Sequence, residues 1–511
     1  MPFFRRYNKK PSSSRQLNNL LHQGLISSEL MDNIAEIHSI FCDTPDLIVR
    51  YLVIKQTQSQ AALVYLSGIT DSTTIFNHVL NPLLFKDDKN NSEADLRISL
   101  GHIKETNTWP QIESAILNGE CVLFVDKRTE AYIYDTTNFP KRPIEDTQIE
   151  SSLTGPHVGF TETVSDNVAL IRNHIHNREL KIKEMTVGKR GKSKLSILYL
   201  ADVVNPDVLK KLEERIQKVD VDSIINAGVL AEYIEDHPYS PFPQLLLTER
   251  PDFAASEILQ GRIATVVDRS PNVIIGPVTF DSFFKTIDDY SSRWMVASFI
   301  RLMRYFGFFM AIFLPATYIA IISFHFEVIP LKLLLSIGAS RERIPFPPYI
   351  EAFIMELTLE MLREAGIRLP TKIGQTVGIV GGIVIGQAAV EAGIVSNIMV
   401  IVVALTAVAS FIIPNYEMGS AIRIVRFPMM ILASLFGFVG LTVGLMILLG
   451  HFIALESLGT PYGSPIAPLR FPDWKDIFIR FPQWSINKRP LSTKAIQMLK
   501  ANSNHPKGDE Q

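Results

Sequence analysis

Apolar residues along this chain follow two regimes. Up to about residue 292 they come in short runs at helix or strand spacing, interleaved with polar stretches; from about 306 to 456 they are nearly continuous. In the first regime, helical patterns at DNIAEIHSIF, DSTTIFNHVL and QIESAILNG alternate with the strand-like runs RYLVIK, AALVYLSG and CVLFVD, an order that predicts an α/β unit over 31–148. A Pro-, Gly- and polar-rich stretch near 145–155 closes that unit. A second α/β unit is predicted over 149–292, with helices at DNVALIRNHI, PDVLKKLEERIQKV and DSIINAGVLAEYIED and strands at SKLSILYLADV, ATVVD and NVIIGPVTF. Strand, helix and strand in succession predict a partly parallel sheet there. Residues 1–30 are polar and read as a mobile arm.

The second regime reads as a transmembrane domain over 293–456. Residues 306–324 hold about the 20 uncharged residues needed to cross a hydrocarbon core, and Pro315 within them is tolerable where neighbouring helices satisfy the freed backbone groups. Further spans are predicted at 376–395, 397–413 and 428–449. Four spans return the chain to its starting side. A cytoplasmic N-terminal region then places the tail over 457–511, with Arg470, Lys475, Arg480, Lys488, Arg489 and Lys494, inside as well, as the positive-inside rule prefers. The same count puts a loop holding Arg423 and Arg426 outside, against that rule.

Charge and cysteine content narrow the setting. Fifty Lys and Arg against 52 Asp and Glu leave a formal net charge of −2, so no global field points to nucleic acid. Two cysteines, Cys42 and Cys121, do not make a disulfide framework. The N-terminal stretch MPFFRRYNKKPSSSRQL lacks the apolar run of a secretory signal, which predicts a cytoplasmic N-terminal half.

No catalytic arrangement, cofactor fingerprint or metal-ligand spacing stands out. Gly188 to Ser193 reads GKRGKS, but two residues rather than four separate its first glycine from the Gly-Lys pair, and a strand follows; it is expected to be a basic turn rather than a phosphate loop. His174 and His176 are two apart and point to different helix faces.

Polar groups inside the apolar half are the candidate functional residues. Between the first two spans, Pro347 and Pro348 open an amphipathic helix over about 348–365, and Glu356, Glu360 and Glu364 form a row along one side of it. That row would either line a vestibule that concentrates cations or form a solvated face relieved by Arg363. In the second span Gly378, Gly382 and Gly386 recur every four residues, a strip on which another helix can approach closely. Gln387 and Glu391 sit four apart on one face of the same span. An ionisable group at membrane depth belongs to a bundle interior or a wet pathway, although Glu391 is also near enough to the Ser396–Asn397 turn to reach interfacial water.

Several long phrases resemble the A subunits of spore germinant receptors, the GerA family. They are ESSLTGPHVGFTETVSDNVALIR at 150–172, PFPQLLLTERPD at 241–252, LQGRIATVVD at 259–268, DDYSSRW at 288–294, PFPPYIEAFIMELTLEMLREAGIRLP at 345–370, VGIVGGIVIGQAAVEAGIVS at 377–396 and ALTAVASFIIPNY at 404–416. The resemblance implies a multi-pass protein of the spore inner membrane, with a two-part cytoplasmic N-terminal region and no chemistry of its own. It implies an oligomeric, channel-like component that works with a permease-like B subunit and a lipoprotein C subunit and turns germinant sensing into ion release. A transporter or exporter subunit, or a membrane-anchored scaffold for receptor partners, are the competing expectations.

Overall fold

The computed structural model describes residues 24–85, 103–138, 150, 158–370, 381–382 and 384–500. Two compact units emerge: one holds most of the chain up to Ile275, the other is built from 234–246 and 276–511 with the short piece 149–156.

The first unit carries two five-stranded sheets. In the first, β1 (Leu47–Val53), β2 (Gln60–Leu66), β3 (Ile103–Thr106), β4 (Cys121–Val125) and β5 (Ala131–Tyr134) lie in the order β1-β2-β4-β5-β3, and every neighbouring pair runs antiparallel. Side chains alternate between faces along a strand, and here both faces are covered. Ala62, Val64, Leu66, Val122, Phe124 and Ile133 pack against helices α1 (Leu30–Ile40) and α2 (Trp109–Leu117). Leu63, Tyr65, Leu123 and Tyr132 pack on the other side against Ile75, Val79 and Leu80 of a helical stretch over 72–85. Two-sided burial is why these strands read as unbroken apolar runs rather than as an alternation.

Cys121 belongs to the second of these faces, and burial pushes its thiol up to about 12. Cys42 is exposed. Because the thiolate is the reactive form, iodoacetamide at neutral pH is expected to modify Cys42 readily and Cys121 only after denaturation, as read by intact-protein mass spectrometry.

The second sheet, β6 (Leu180–Val187), β7 (Ser193–Leu200), β8 (Leu246–Thr248), β9 (Ile263–Val267) and β10 (Val273–Gly276), has the order β6-β7-β9-β10-β8. Helices α3 (Val164–His174), α4 (Pro206–Lys218), α5 (Ala227–Ile234) and α6 (Pro251–Leu259) accompany it. A partly parallel sheet is predicted here; of its neighbouring pairs, β6 with β7 and β7 with β9 run antiparallel. The reason is that the connection is not a single crossover helix: it contains α4, α5, β8 and α6, which lets the chain re-enter from the opposite end. The two sheets are joined by a fork between Arg172 of α3 and Asp46, with Nε and Nη2 donating to the two carboxylate oxygens at 2.5 and 2.9 Å.

The GKRGKS stretch is the turn between β6 and β7. The backbone N–H groups of Lys189, Arg190 and Gly191 donate to the carbonyls of Val221 and Asp222 at 2.8–2.9 Å, so they have no capacity left to cradle a phosphate. Gly188, at φ +95°, has Asp222 O only 2.9 Å from where a Cβ would sit.

The second unit is helical. Its elements are α7 (Trp294–Phe324), α8 (Leu331–Arg341), α9 (Pro348–Arg368), α10 (384–391), α11 (Asn397–Phe411) and α12 (Tyr416–Ala454). The predicted apolar runs 306–324 and 428–449 lie inside α7 and α12. Within α12, Gly437 breaks the helical path at φ +58°, ψ −133°, where an added Cβ would meet His325 Nε2 and Phe324 Cβ at 3.0 Å; a glycine is therefore required at this bend. The expected loop around Arg423 and Arg426 is instead the first part of α12, because both guanidinium groups find carboxylates on α9 and the helix passes through them unbroken.

Candidate functional site

Two polar arrangements are embedded in the helical unit. One lies where α9 meets α12. Pro347 and Pro348 start α9, whose periodicity brings Glu356, Glu360, Arg363 and Glu364 along it. Glu356 is buried and pairs with Arg426 Nη1, while Arg426 Nε donates to the Ala311 carbonyl of α7 at 2.7 Å. Glu360 accepts Arg423 Nε at 3.0 Å, and Arg423 Nη2 donates to Ser420 Oγ at 2.8 Å. Glu364 is exposed and pairs with Arg368 one turn on, at 2.6 Å. Arg363, expected as the counter-charge of the row, lies instead over the ring of Phe411 at 5.2 Å. Thus the three glutamates share a helix but have different surroundings, and the cations of the first two come from α12, 70 residues along in the case of Glu356 and Arg426. Glu351, one turn earlier and fully buried, accepts the Ser396 N–H at 3.0 Å and pairs with Arg341 at 2.8 Å.

Gln387 and Glu391 lie on α10, where Gln387 Nε2 donates to Glu391 Oε1 at 2.9 Å and both side chains are exposed. The glycine strip is not uniform in its surroundings. Gly386 is buried, with Val400 Cγ1 of α11 3.7 Å from its would-be Cβ; Gly382 has open space there; Gly378 lies outside the described residues. Among its described residues, therefore, this stretch presents a bonded polar pair and the bare Gly382 to the outside.

The second arrangement lies at the start of α7, where no spacing or motif marks it in the sequence. Arg301, fully buried, donates from Nε and Nη2 to Asp289 Oδ2 at 3.3 and 3.1 Å and from Nη1 to Asp476 Oδ1 at 2.8 Å. Arg304 reaches the same Asp289 oxygen at 2.8 Å, Lys285 pairs with Asp281 at 2.7 Å, and Tyr290 donates its hydroxyl to Asp476 at 2.7 Å. Arg480 Nη1 then donates to the Ser292 carbonyl at 2.9 Å. Burial alone would raise the Asp476 carboxyl, but Lys285 and Arg301 outweigh it and hold the group below its ordinary value. Residues 470–500, part of the stretch read as a cytoplasmic tail over 457–511, form a packed strap over the base of α7, with Arg480 and Arg489 buried. Aromatic packing reinforces this end: Phe284 stacks on Tyr305 at 4.7 Å, and Tyr305 meets Phe478 at 4.9 Å.

Among the described residues no group of three or more His, Cys, Asp or Glu side chains is arranged to hold a metal ion. Two helices, Trp294–Phe324 and Tyr416–Ala454, are long and apolar enough to cross a membrane, and Asn397–Phe411 is a shorter apolar helix. These two long apolar helices, the second of which pairs its arginines with glutamates of α9, point to a membrane-associated protein. The sequence profile described as Bacillus/Clostridium GerA spore germination protein matches residues 35–492, and the chain belongs to that family. It is 40% identical over 474 residues to spore germination protein KA of Bacillus subtilis (strain 168), covering 92% of this chain and 87% of that one. It is 37% identical over 476 residues to spore germination protein GerLA of Bacillus cereus, covering 92% of this chain and 97% of the other. The crystal structure of the N-terminal domain of the A subunit of the Bacillus megaterium spore germinant receptor GerK3 matches at 27% identity with a TM-score of 0.39, covering 50% of this chain and 98% of that one.

Proposed function

We propose that this chain is the A subunit of a spore germinant receptor and that it turns nutrient sensing into ion release as an oligomeric, channel-like component of the spore inner membrane. The observation that carries the reading is the family match from residue 35 to 492, which takes in both the sheet-bearing region and the apolar helices. On this reading the N-terminal region and the C-terminal strap are cytoplasmic, and the partners are a permease-like B subunit, a lipoprotein C subunit and further copies of this chain. Spans near 306–324, 376–395, 397–413 and 428–449 form the membrane domain.

Gln387 and Glu391 are assigned to the ion pathway. Support comes from their position: they are a polar pair that α10 turns outward, bonded to each other and to no other side chain among the described residues. An exposed carboxylate on an apolar helix is costly against hydrocarbon but not against a hydrated axis shared by several copies. Gly378, Gly382 and Gly386 are assigned to close helix packing, supported at Gly382 by the open space beside it. Of the acidic row, Glu364 and Glu360 remain the candidates for a cation-concentrating vestibule, while Glu356 would contribute through its ion pair. Opening is a shift between two packings of the assembly, biased by a partner that favours the wider one.

The test uses spores carrying Gln387→Ala or Glu391→Gln receptors that assemble at normal levels. Monovalent ion release after germinant addition is expected to slow at least several-fold in each. Release at the unmodified rate from normally assembled receptors would remove both residues from the pathway.

A further inference from the structure

Where α9 meets α12, the ion pairs do not balance. Glu356, Glu360, Arg363, Arg423 and Arg426 bring two negative and three positive charges together. Glu356 takes Arg426 and Glu360 takes Arg423, while Glu364, the next carboxylate on α9, is held by Arg368. Arg363 forms no ion pair among the described residues and lies over the face of Phe411. Hydrogen bonding shows the same deficit: Arg363 Nη1, Arg423 Nη1 and Arg426 Nη2 are all buried without an acceptor among the described residues.

A buried cationic N–H without an acceptor is expensive, and buried polar groups in folded proteins are almost always satisfied. Three from neighbouring arginines therefore call for something that accepts hydrogen bonds and carries negative charge. Water alone supplies the first and not the second. Electrostatics agree in direction with the geometry: burial, then Arg423, lower the proton affinity of Arg363 below its ordinary range, with Glu360 and Tyr416 acting against them.

We propose that this junction is a binding site for a small monovalent anion of the halide class, held by the free guanidinium edges of Arg363, Arg423 and Arg426. The charge excess of one sets the valence. Guanidinium groups, weakly hydrated and fork-shaped, are suited to holding an anion away from bulk water. Glu356 Oε1, also buried and without a partner, fixes the company the anion keeps: a water that donates one hydrogen to this oxygen and the other to the anion. The ion acts as a rivet between α9 and α12 and so sets how tightly the two helices hold together. This site is independent of the ion-pathway assignment, since neither Gln387 nor Glu391 belongs to it.

The probe is chloride. Full-length protein in detergent is unfolded thermally at constant ionic strength, with chloride replaced stepwise by gluconate. A ligand that binds only the folded form raises Tm according to its concentration over its Kd, and saturating chloride is expected to give about 2–5 °C. Arg363→Gln removes the excess charge and is expected to abolish most of this difference. Should that variant not fold, Glu360→Gln serves instead: it raises the excess to two and is expected to enlarge the chloride effect. Equal Tm values for the unmodified protein in chloride and gluconate would overturn the proposal, as would a full chloride effect in Arg363→Gln or an unchanged one in Glu360→Gln. The first of these outcomes is also what a carboxylate from a second copy filling the site would produce.

Discussion

Arg426→Met is expected to destabilise the helical unit by about 3–5 kcal/mol, because it strands the buried Glu356 carboxylate without its cation. The substitution also removes the hydrogen bond to the Ala311 carbonyl at 2.7 Å, which ties α12 to α7. What is lost on breaking one partner is far more than what the pair itself contributes, since taking two charges out of water costs about what their attraction returns. Hence the double replacement Glu356→Met with Arg426→Met is expected to recover most of the loss. Thermal unfolding of the two single variants and the double in one detergent forms a cycle that separates the coupling from simple loss of packing. Single-variant losses that add in the double would show that the two side chains are not coupled.

The base of α7 carries the second large effect. Arg301→Met leaves Asp476 with Lys285 and Tyr290, and Asp289 with Arg304 and the hydroxyl and N–H of Thr286, which is expected to cost about 3–5 kcal/mol and to release the strap over 470–500. Limited proteolysis reads the release directly, as new cleavage between 470 and 500 in protein whose sheet-bearing unit stays resistant. The same strap has a defined pH response. Asp476 is held below its ordinary value, so its contribution is present above that value and is lost as pH falls through the lower one in the folded protein; Lys285, with its proton affinity raised by Asp281 and Asp476 against burial, loses its contribution only as pH rises far into the alkaline range. Strap protection is therefore expected to be flat from about pH 6 to 8 and to weaken on the acid side, below about pH 4. Cleavage that increases between pH 6 and 8 would point to a group other than these two.

How far the sequence could be read depended on the distance over which each interaction acts. Long apolar runs such as 306–324 are signals within one element, and they mark α7 and α12 without knowledge of any neighbour. The four-residue spacing of Gln387 and Glu391 likewise foretells that they meet, as they do at 2.9 Å. Pairings between distant elements left no such trace. Nothing in the pattern of α9 says that Glu356 selects Arg426 rather than Arg363, because the choice follows from how α9 and α12 cross. Basic residues of the strap look like a solvated tail because lysine and arginine usually are solvated; Arg480 is buried only because Ser298 and the carbonyl of Ser292 meet it. Strand direction has the same range: the antiparallel pairing of β9 with β7 depends on all of the chain between them, not on the helix nearest to β9.

An ion pathway through Gln387 and Glu391 requires α10 to lie within lipid with one wet side. Cysteines introduced one at a time at Val384, Ile385, Gln387, Ala388 and Glu391, in a Cys42→Ser background and in assembled receptor, report that directly through reaction with a membrane-impermeant aqueous thiol reagent. Fast modification is expected on the face shared by 384, 387, 388 and 391, strongest at 387 and 391, and protection at 385, which points away from it. Equal, fast modification at all five positions would mean a helix bathed in water on every side, and would contradict both the ion pathway and the close packing of copies around it.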